Sequence, residues 1–495
     1  MLPIIAQAKN NIDKIAIYSD ERSFTYRDLL NQSQNLASIL LIDVLDLKEA
    51  RVAFMVNPGF KYVQTLWAIW QAGGVAVPLC ITHPLPSLEY VLEDTGSTVL
   101  IISKEYETLL NPFIAKSNCR SIVIDAAFNN VIKELPKIEL VRRALILYTS
   151  GTTNKPKGVV TTHANIQAQV STLITAWEWS ANDNTICVLP LHHVHGIINV
   201  VSCSMWVGAT CTFLPQFSAQ SIFDLLAKGS INVFMAVPTI YFKLISYLEN
   251  LTDTDREILK DCMQKFRLMV CGSAALPVSV MEKWEHLSGQ RLLERYGMTE
   301  LGMAISNPYR GERKAGYVGL PLPGVHIKLV DENYQEVPKG EAGEIIVKGE
   351  NVFQEYWQKK EATNEAFTKE GWFKTGDIAI VEEGYYRIMG RNSVDIIKSG
   401  GYKISALEIE EVLRQYETID DCAVVGIEDE EWGELIVAAL VLVPNNVFDE
   451  KSLTNWLVTQ MASYKKPRKY LVINELPRNA MGKVVKNELK KLFIP

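Results

Sequence analysis

The sequence is poor in paired cysteines and in excess positive charge. Its 495 residues include eight cysteines, and no two of them form a C-x-x-C pair. Neither a zinc ribbon nor a disulfide framework is therefore expected, and isolated thiols are typical of a reducing compartment. Fifty lysines and arginines against 57 acidic residues give a net charge of −7. This balance argues against nucleic acid as a partner, because a phosphate backbone requires a basic face.

Signals for export or membrane insertion are also lacking. The first 14 residues have no basic region, no long apolar core and no Arg-rich character, so we expect a cytoplasmic protein. Residues 196–215 carry no charge over 20 positions, which is long enough to span a bilayer. Polar residues dilute this stretch, and Gly208 is typical of a helix end. We therefore expect a buried helix and a strand here, and no membrane span.

Short apolar runs alternate with amphipathic segments over the first 315 residues. Residues 50–56 and 231–237 are examples of the apolar runs and predict buried strands. Strands that alternate with helices indicate an α/β fold with mostly parallel sheets. From about residue 315 onward the strands follow one another closely, which predicts a smaller and more antiparallel region.

The pattern changes again after Gly390, where a compact tail of helices and strands begins. We predict a large N-terminal domain, residues 1–389, of stacked, mostly parallel α/β sheets plus a small distorted β-barrel. A small, mobile α+β domain, residues 390–495, is expected to follow. No internal repeat and no low-complexity segment is visible.

The strongest chemical signal is LILYTSGTTNKPKGVVTTH, residues 145–163. An apolar strand leads into a loop of glycine, hydroxyl residues and lysines. Backbone amides and hydroxyls in such a loop bind polyanions, and lysine adds positive charge. The spacing of a Walker A loop is absent. The segment predicts phosphate binding, and a Ser/Thr/Gly surface turn is the alternative for the loop taken alone.

Other polar residues stand where chemistry is expected. Thr299 and Glu300 follow a glycine after a strand, where a hydroxyl and a carboxylate can hold a phosphate and Mg²⁺. Asp377 is placed to accept ribose hydroxyls, as acids do in other nucleotide folds, and Arg391 to meet the ribose or a phosphate. Lys483, in a tail loop, can offset charge that develops in a transition state. Taken alone, each is equally typical of a turn or a solvated charge.

Three of the seven histidines, at positions 192, 193 and 195, fall within four residues. A metal site is one interpretation of such a cluster. No paired cysteine or acid lies at ligand spacing, so we do not expect a metal there.

The loop at 145–163 resembles the phosphate-binding signature of the adenylate-forming enzymes, the superfamily of the acyl-CoA synthetases. Other signatures of this family follow in order over nearly the whole chain. They are SFTYRDL (23–29), LPLHHVHG (189–196), CGSAALP (271–277), RYGMTE (295–300), FKTGD (373–377), MGRNSVDIIKSGGYKIS (389–405) and PRNAMGKVVK (477–486). The resemblance implies a two-step ligase that uses ATP, Mg²⁺ and coenzyme A and forms an acyl-adenylate.

The resemblance also implies roles for individual residues. Lys483, Thr299, Glu300 and His193 are the expected catalytic residues, and Glu300 and Thr152 are the expected metal ligands. ATP and AMP are expected to bind Thr149, Ser150, Gly151, Thr152, Thr153, Lys157, Gly272, Ser273, Ala274, Arg295, Tyr296, Gly297, Met298, Asp377 and Arg391. Coenzyme A is expected to bind Gly400, Gly401, Tyr402 and Lys403, and the small domain is expected to rotate near Arg391 between the two steps.

The residue before YGMTE helps to predict which acid is the substrate. It is Arg295, where many fatty-acyl and aryl members of the family have glycine. Burial of an unpaired guanidinium is costly, so it requires a partner anion. A second carboxylate on the substrate can bind it bidentately, and Glu294 is the alternative partner within the protein. This position therefore points to a short dicarboxylic acid.

Stretches 233–245, 272–284 and 292–306 resemble malonyl-CoA synthetases. The resemblance implies an acyl pocket of His193, Lys243, Ser273, Arg295 and Met298, and malonate or methylmalonate as substrate. Lys243 replaces the arginine of bacterial members and loses its planar fork, and Asn154 replaces a glycine in the phosphate loop. The expected product belongs to fatty acid metabolism, and the expected assembly is a monomer or homodimer.

Three alternatives remain at this point. The first is a synthetase for a short- or medium-chain monocarboxylic acid, with Arg295 paired to Glu294. The second is a peptide-synthetase adenylation role, although no carrier segment follows Pro495. The third is an inactive nucleotide-binding protein, against which the presence of the motif residues argues.

Overall fold

The computed structural model describes residues 1–125, 132–149, 155–214, 216–392, 394–400, 402–479 and 482–493. Sheets flanked by helices build the chain. The α-helices are Pro3–Lys9, Tyr26–Leu40, Phe60–Gln71, Leu85–Thr95, Glu107–Lys116, His163–Trp177, Cys203–Val207, Ala219–Ala227, Pro238–Glu249, Asp253–Gln264, Val278–Ser288, Lys360–Ala366, Ala406–Leu413, Glu450–Gln460 and Lys486–Lys491. A π-helix spans His195–Ser202, and 3₁₀ turns span Lys104–Tyr106 and Ser463–Lys465.

The largest sheet is parallel at its centre and antiparallel at both ends. Its strands lie in the order Leu320–Pro321, Gly302–Ser306, Leu293–Met298, Leu268–Cys271, Val233–Ala236, Asn184–Cys187, Thr210–Phe213, Ile15–Ser19 and Arg22–Thr25. The central strands read as continuous apolar runs because helices cover both faces of the sheet.

A second sheet has a similar construction. Its strands lie in the order Glu355–Tyr356, Lys157–Thr162, Arg143–Thr149, Val75–Pro78, Arg51–Met55, Val99–Ile102 and Arg120–Val123. Helix His163–Trp177 joins the two sheets: it follows a strand of the second sheet, and Trp177 Nε1 donates to Ser306 Oγ of the first at 3.0 Å. A Thr162–Asn165 capping box starts this helix. The stacked α/β sheets expected from the sequence are confirmed.

The small β region is an antiparallel sheet in the order His326–Val330, Gly343–Lys348, Phe373–Glu382 and Tyr385–Arg391. A distorted barrel was expected here. In the described ranges, however, the first and last strands do not pair, so the sheet stays open. The outer edge of the last strand forms an isolated bridge instead, between Tyr386 and Gly319, a residue that precedes the sheet in the chain.

The tail forms a separate sheet. Tyr402–Ser405, Ile396–Ser399, Gly433–Leu442 and Ile419–Asp429 follow one another, and Lys469–Val472 pairs in parallel with Gly433–Leu442. Helices Ala406–Leu413 and Glu450–Gln460 pack on one face, and helix Lys486–Lys491 packs on the other. The separate α+β domain predicted for the tail is confirmed.

The uncharged stretch after residue 195 is buried within the large sheet. It forms the π-helix, helix Cys203–Val207 and strand Thr210–Phe213. Gly208 ends the helix at φ 78°, and a Cβ there would lie 2.2 Å from the Asn11 amide. The expected helix and strand are confirmed. In the part of the chain that is described, no helix is long and apolar enough to cross a bilayer.

Candidate active site

The candidate site lies where neighbouring parallel strands of the large sheet end. Strands Asn184–Cys187, Val233–Ala236, Leu268–Cys271 and Leu293–Met298 are adjacent in the sheet. The segments after them carry the histidines, Thr239, Ser273 and Glu300. Carboxyl ends of parallel strands meet at one edge, which is where open α/β sheets bind ligands. Motifs that are far apart in the sequence therefore converge here.

Arg295 is a buried cation beside the end of strand Leu268–Cys271. Its side chain is 3% exposed, and its Nη2 donates to Ser273 Oγ at 3.3 Å. Gly272 makes room for it, because a Cβ there would lie 2.6 Å from the guanidinium carbon. The Nε of Arg295 has no hydrogen-bond partner among the described residues. Burial lowers the pKa of Arg295 to about 10, so the group is charged near pH 7.

Glu294, the alternative partner of Arg295, is directed elsewhere. Its Oε1 accepts the backbone N–H of Leu276 at 3.2 Å, and no ion pair joins the two side chains within the described ranges. Neighbouring residues of a strand point to opposite faces of the sheet, which separates them. Burial raises the pKa of Glu294 to about 8, so its carboxyl group is mostly neutral near pH 7. The internal pairing considered from the sequence is not formed.

Arg295, Ser273 and His195 form a buried corner at the end of strand Leu268–Cys271. The Nδ1 of His195 lies 3.1 Å from Ser273 Oγ, and its Nε2 has no hydrogen-bond partner among the described residues. Burial, followed by the charge of Arg295, holds the pKa of His195 well below its ordinary value. Ser273 itself adopts φ 74°, a left-handed conformation that costs energy in a non-glycine residue. Arg295 and His195 therefore converge on Ser273, and each keeps one buried nitrogen without a hydrogen-bond partner among the described residues.

The sequence pointed to His193 and missed His195. The His193 ring packs against His192 with centroids 4.1 Å apart, and burial lowers the pKa of His193 to about 4. Among the described histidines, only His195 lies within hydrogen-bond distance of Ser273. The start of the π-helix at His195 decides which histidine faces the corner, and no sequence pattern signals this irregular helix.

Lys243 lies away from the buried corner. It is exposed on helix Pro238–Glu249, and its Nζ lies 5.4 Å from the centre of the Phe217 ring. Tyr241, two positions earlier, is buried and donates to Val270 O at 3.0 Å. Two helical positions correspond to about 200° of rotation, so Lys243 faces outward. The contact of Lys243 with the acyl group stays a prediction.

Asp377 and Arg391 are cross-strand neighbours in the small antiparallel sheet. Arg391 Nε lies 3.1 Å from Asp377 Oδ1, and the Tyr296 hydroxyl donates to Asp377 Oδ2 at 2.6 Å. Burial alone lowers the pKa of Arg391, but the Asp377 charge raises it above its ordinary value. Each carboxylate oxygen keeps a second lone pair for a ribose hydroxyl. The structure thus joins RYGMTE, FKTGD and the segment around Arg391 in one polar pocket.

Glu300 lies on the other side of this pocket. Its Oε1 accepts the Tyr356 hydroxyl at 2.9 Å, and burial raises the pKa of Glu300. Lys157 Nζ lies 5.0 Å from the centre of the same tyrosine ring, so the end of the phosphate loop meets Glu300 through Tyr356. Tyr356 was not identified from the sequence, since it belongs to no motif and adds a short strand beside Lys157–Thr162.

The donor chemistry at Glu300 fits Mg²⁺, which prefers oxygen ligands. No group of three or more His, Cys, Asp or Glu side chains in the described part of the chain has the arrangement of a metal site. A magnesium ion at Glu300 would therefore complete its shell with phosphate oxygens and water, as Mg²⁺ usually does.

The phosphate loop connects two antiparallel strands. Thr149 ends one strand and pairs with Lys157, which begins the next. Tyr90 flanks the loop: its hydroxyl donates to Pro156 O at 2.9 Å, and Lys155 Nζ lies 5.5 Å from its ring centre. The predicted loop residues Ser150, Gly151, Thr152 and Thr153, together with Asn154, lie outside the described residues.

The backbone around Lys483 approaches the site from the tail. Gly482 adopts φ 74°, and a Cβ there would lie 2.6 Å from Thr239 Oγ1 at the start of helix Pro238–Glu249. Glu411 Oε2 of the tail accepts the backbone N–H of Val278 at 3.1 Å. The tail is thus docked on the large domain, with the Lys483 loop against the site.

The residues predicted for coenzyme A lie on a different hairpin. Tyr402 is 54% exposed and stacks on Tyr464, with ring centroids 4.4 Å apart. A Cβ at Gly400 would lie 3.2 Å from the Trp432 ring. Gly401 and the side chain of Lys403 lie outside the described residues. The remaining predicted residues, Ala274, Gly297, Met298 and Thr299, lie in the segments that border Arg295 and Glu300.

Comparisons with known proteins agree with this arrangement. A family model described as AMP-binding enzyme matches residues 4–357, and one described as AMP-binding enzyme C-terminal domain matches residues 408–483. The mitochondrial malonate–CoA ligase ACSF3 of Bos taurus is 42% identical over 533 residues, which cover 100% of this chain and 90% of that protein. Malonate–CoA ligase of Arabidopsis thaliana is 39% identical over 533 residues, covering 98% and 87%.

Among solved structures, ATP-bound MatB from Rhodopseudomonas palustris superimposes with a TM-score of 0.90 at 31% identity, covering 100% of this chain and 99% of that chain. Apo MatB from the same organism gives a TM-score of 0.79 at 30% identity and the same coverage. The chain therefore superimposes more closely on the ATP-bound structure than on the apo structure.

The relatives also correct one expectation. The similar enzymes of Bos taurus, Mus musculus and Homo sapiens are named as mitochondrial, so the expected cytoplasmic location is wrong. That expectation rested on the composition of the first residues, whereas compartment is set by targeting signals that the catalytic motifs do not contain. The motifs, the docked tail and the matching models agree on the chemistry, and the chain belongs to the AMP-binding enzyme family.

Proposed function

We propose that the protein is an AMP-forming malonate–CoA ligase that works through a malonyl-adenylate. The observation that carries the choice of acid is the buried Arg295, a cation without a carboxylate partner in the described structure. Malonate supplies that partner with its second carboxylate. The similar proteins named as malonate–CoA ligases support this assignment.

The first step joins the acid to AMP. The reacting carboxylate oxygen of malonate bonds to the α-phosphorus of ATP, the bond from that phosphorus to the bridging oxygen breaks, and pyrophosphate leaves. Arg295, Ser273 and His195 hold the distal carboxylate, while Asp377 and Arg391 hold the ribose. Lys483 offsets the negative charge that develops between the carboxylate and the phosphate. Glu300 is the described residue that would hold Mg²⁺, and the ion would supply positive charge against the phosphates.

The second step forms the thioester. The thiolate sulfur of coenzyme A bonds to the acyl carbon, and AMP leaves with the electron pair. In the present arrangement the Lys483 loop is docked against Thr239, and Tyr402 is exposed elsewhere. We infer that the tail turns about the segment after Arg391 between the steps, which withdraws Lys483 and brings hairpin 396–405 to the site.

The domain boundary is proposed near residue 390, between the small antiparallel sheet and the tail sheet. We propose an N-terminal adenylation domain, residues 1–389, and a mobile domain, residues 390–495. The two family models leave residues 358–407 between them, and this interval contains the proposed boundary. Strand Tyr385–Arg391 is the last of the small antiparallel sheet, and Ile396–Ser399 begins the tail sheet.

The test of the substrate is CoA-dependent AMP formation with malonate, methylmalonate, succinate, acetate, butyrate and octanoate. We expect malonate, with methylmalonate next, to exceed the monocarboxylates in kcat/KM by about 100-fold or more, because each charge-assisted contact contributes about 1.5–3 kcal/mol. A lead by butyrate or octanoate would show that Arg295 does not bind a substrate carboxylate.

A second prediction concerns the ribose. Asp377→Asn removes the charge that accepts the ribose hydroxyls, so we expect the KM for ATP to rise by about 10-fold or more. The KM for malonate should change little, because Asp377 does not contact Arg295. Steady-state kinetics with each substrate varied in turn checks this. Asp43→Asn, on an exposed loop, is the matched control. An unchanged KM for ATP would contradict the assignment of Asp377.

A further inference from the structure

A second lysine lies three positions after Lys483 and is buried. Lys486 is 8% exposed, and its Nζ lies 2.7 Å from Asp395 Oδ1 and 2.7 Å from Glu410 Oε1. Burial by itself lowers the pKa of Lys486, but the charges of Glu410 and Asp395 raise it above its ordinary value. A charged lysine thus joins two carboxylates inside the tail.

The first of these carboxylates closes the turn that carries Arg391. The backbone N–H of Arg391 donates to Asp395 Oδ2 at 3.0 Å, and the N–H of Asp395 donates to Arg391 O at 2.7 Å. Gly390 is packed against this turn, since a Cβ there would lie 2.4 Å from Asp395 Cβ. Asp395 therefore connects Lys486 with the segment about which the tail is proposed to turn.

The second carboxylate belongs to the core of the tail. Glu410 is 4% exposed, and its Oε1 also accepts the backbone N–H of Val424 at 2.8 Å. Arg414 lies 3.7 Å from Glu410 Oε2. Glu410 is therefore held by a strand and a helix, so it offers Lys486 a fixed anchor.

Lys486 is also coupled to Lys483 through the backbone. Asn479 N–H donates to Lys483 O at 2.9 Å, Lys483 N–H donates to Asn479 Oδ1 at 3.0 Å, and Val485 N–H donates to Pro477 O at 2.8 Å. These bonds join segments 477–479 and 482–485, and Lys486 follows directly. Burial raises the pKa of Asp395, but the contacts with Lys486 and the Arg391 amide, and then the charge of Lys483, lower it below its ordinary value. Lys483 therefore lies near the turn.

The energetics of this cluster favour a role in positioning over a role in stability. The attraction within a buried ion pair often fails to offset the desolvation of its charges. Apolar residues of similar size often stabilise a fold as well or better. What the cluster does provide is a defined position, because three charged groups have few arrangements that satisfy one another.

We propose that Lys486 is a positioning residue for Lys483: by binding Asp395 and Glu410 together, it sets the Lys483 loop relative to Arg391. The proposal rests on the proposed function, in which Lys483 acts in the first step. It requires no contact between Lys486 and any substrate.

The test compares Lys486→Met with Lys486→Arg, which keeps the charge, and with Lys491→Met, an exposed lysine of the same helix, as control. We expect Lys486→Met to lower kcat for pyrophosphate release by about 10-fold or more, with KM for ATP and malonate nearly unchanged. Thioester formation from supplied malonyl-adenylate should persist. Lys486→Arg should recover most of the rate. A purely structural role would instead lower both half-reactions together, and that result would overturn the proposal.

A second measurement does not depend on the chemistry. Amide hydrogen exchange in peptides covering residues 477–485 should be faster in Lys486→Met than in Lys491→Met, and Asp395→Asn should accelerate it in the same way. Unchanged exchange would overturn the positioning role even if the rates fell. A wild-type protein that releases no pyrophosphate with any acid would refute the proposed function, and the exchange experiment would still decide whether Lys486 orders the loop.

Discussion

Lys483→Ala should reduce pyrophosphate release with ATP and malonate by about 100- to 1000-fold, the loss typical of removing one preorganised charge from a transition state. The Lys483 loop is docked against Thr239 and lies near the turn after Arg391. In the proposed first step its ammonium group meets the charge that develops on the transferring carboxylate. Thioester formation from supplied malonyl-adenylate should stay within a few-fold of wild type, because Lys483 has then withdrawn.

The two half-reactions are measured separately, by pyrophosphate release and by consumption of malonyl-adenylate with coenzyme A. Lys491→Ala is the control, since Lys491 is exposed on the next helix and should leave both rates unchanged. If Lys483→Ala lowered both half-reactions equally, its charge would not be specific to the first step.

Arg295→Met is expected to lower kcat/KM for malonate by about 100-fold or more, as a charge-assisted contact to the distal carboxylate is lost. The KM for ATP should change little, and the relative rate with butyrate should rise. The melting temperature should not fall, because Arg295 has no carboxylate partner among the described residues that its removal would leave unpaired. Kinetics on the acid panel and thermal unfolding together check this pair of expectations.

Arg267 is the informative control for Arg295. It is also a largely buried arginine, but its Nε lies 2.6 Å from Asp183 Oδ1, a carboxylate with 1% of its side chain exposed. Arg267→Met should destabilise the fold by about 3 kcal/mol, because a buried charge loses its partner, while the preference for malonate is kept. If Arg295→Met destabilised the protein as strongly and left the acid preference intact, Arg295 would be a structural residue.

Much of the site could be predicted because its residues lie in local motifs. Asp377, Arg391 and Glu300 stand in short contiguous motifs that are readable without a structure. Glu300 follows a strand of the large sheet, whereas Asp377 lies within strand Phe373–Glu382 and Arg391 ends strand Tyr385–Arg391. The alternation of apolar runs likewise predicted the stacked sheets, since each run is a buried strand.

Other features depended on partners that are distant in the chain. Glu294 binds the amide of Leu276 and not its neighbour Arg295, which the strand register decides. Lys243 faces outward because of the rotation of its helix, and His195 rather than His193 faces Ser273 because the helix that begins there is a π-helix. The small antiparallel sheet stays open because its last strand pairs with the loop at Gly319.

The sequence by itself determined the α/β class, the family of the chemistry and the residues proposed to meet the nucleotide, because these follow from apolar periodicity and from short contiguous motifs. Only the tertiary structure decided that Arg295 lacks an internal partner, that the tail is docked with its Lys483 loop against Thr239, and that Lys486 joins Asp395 to Glu410. A charge finds its partner through the packing of remote segments, and packing depends on the whole fold.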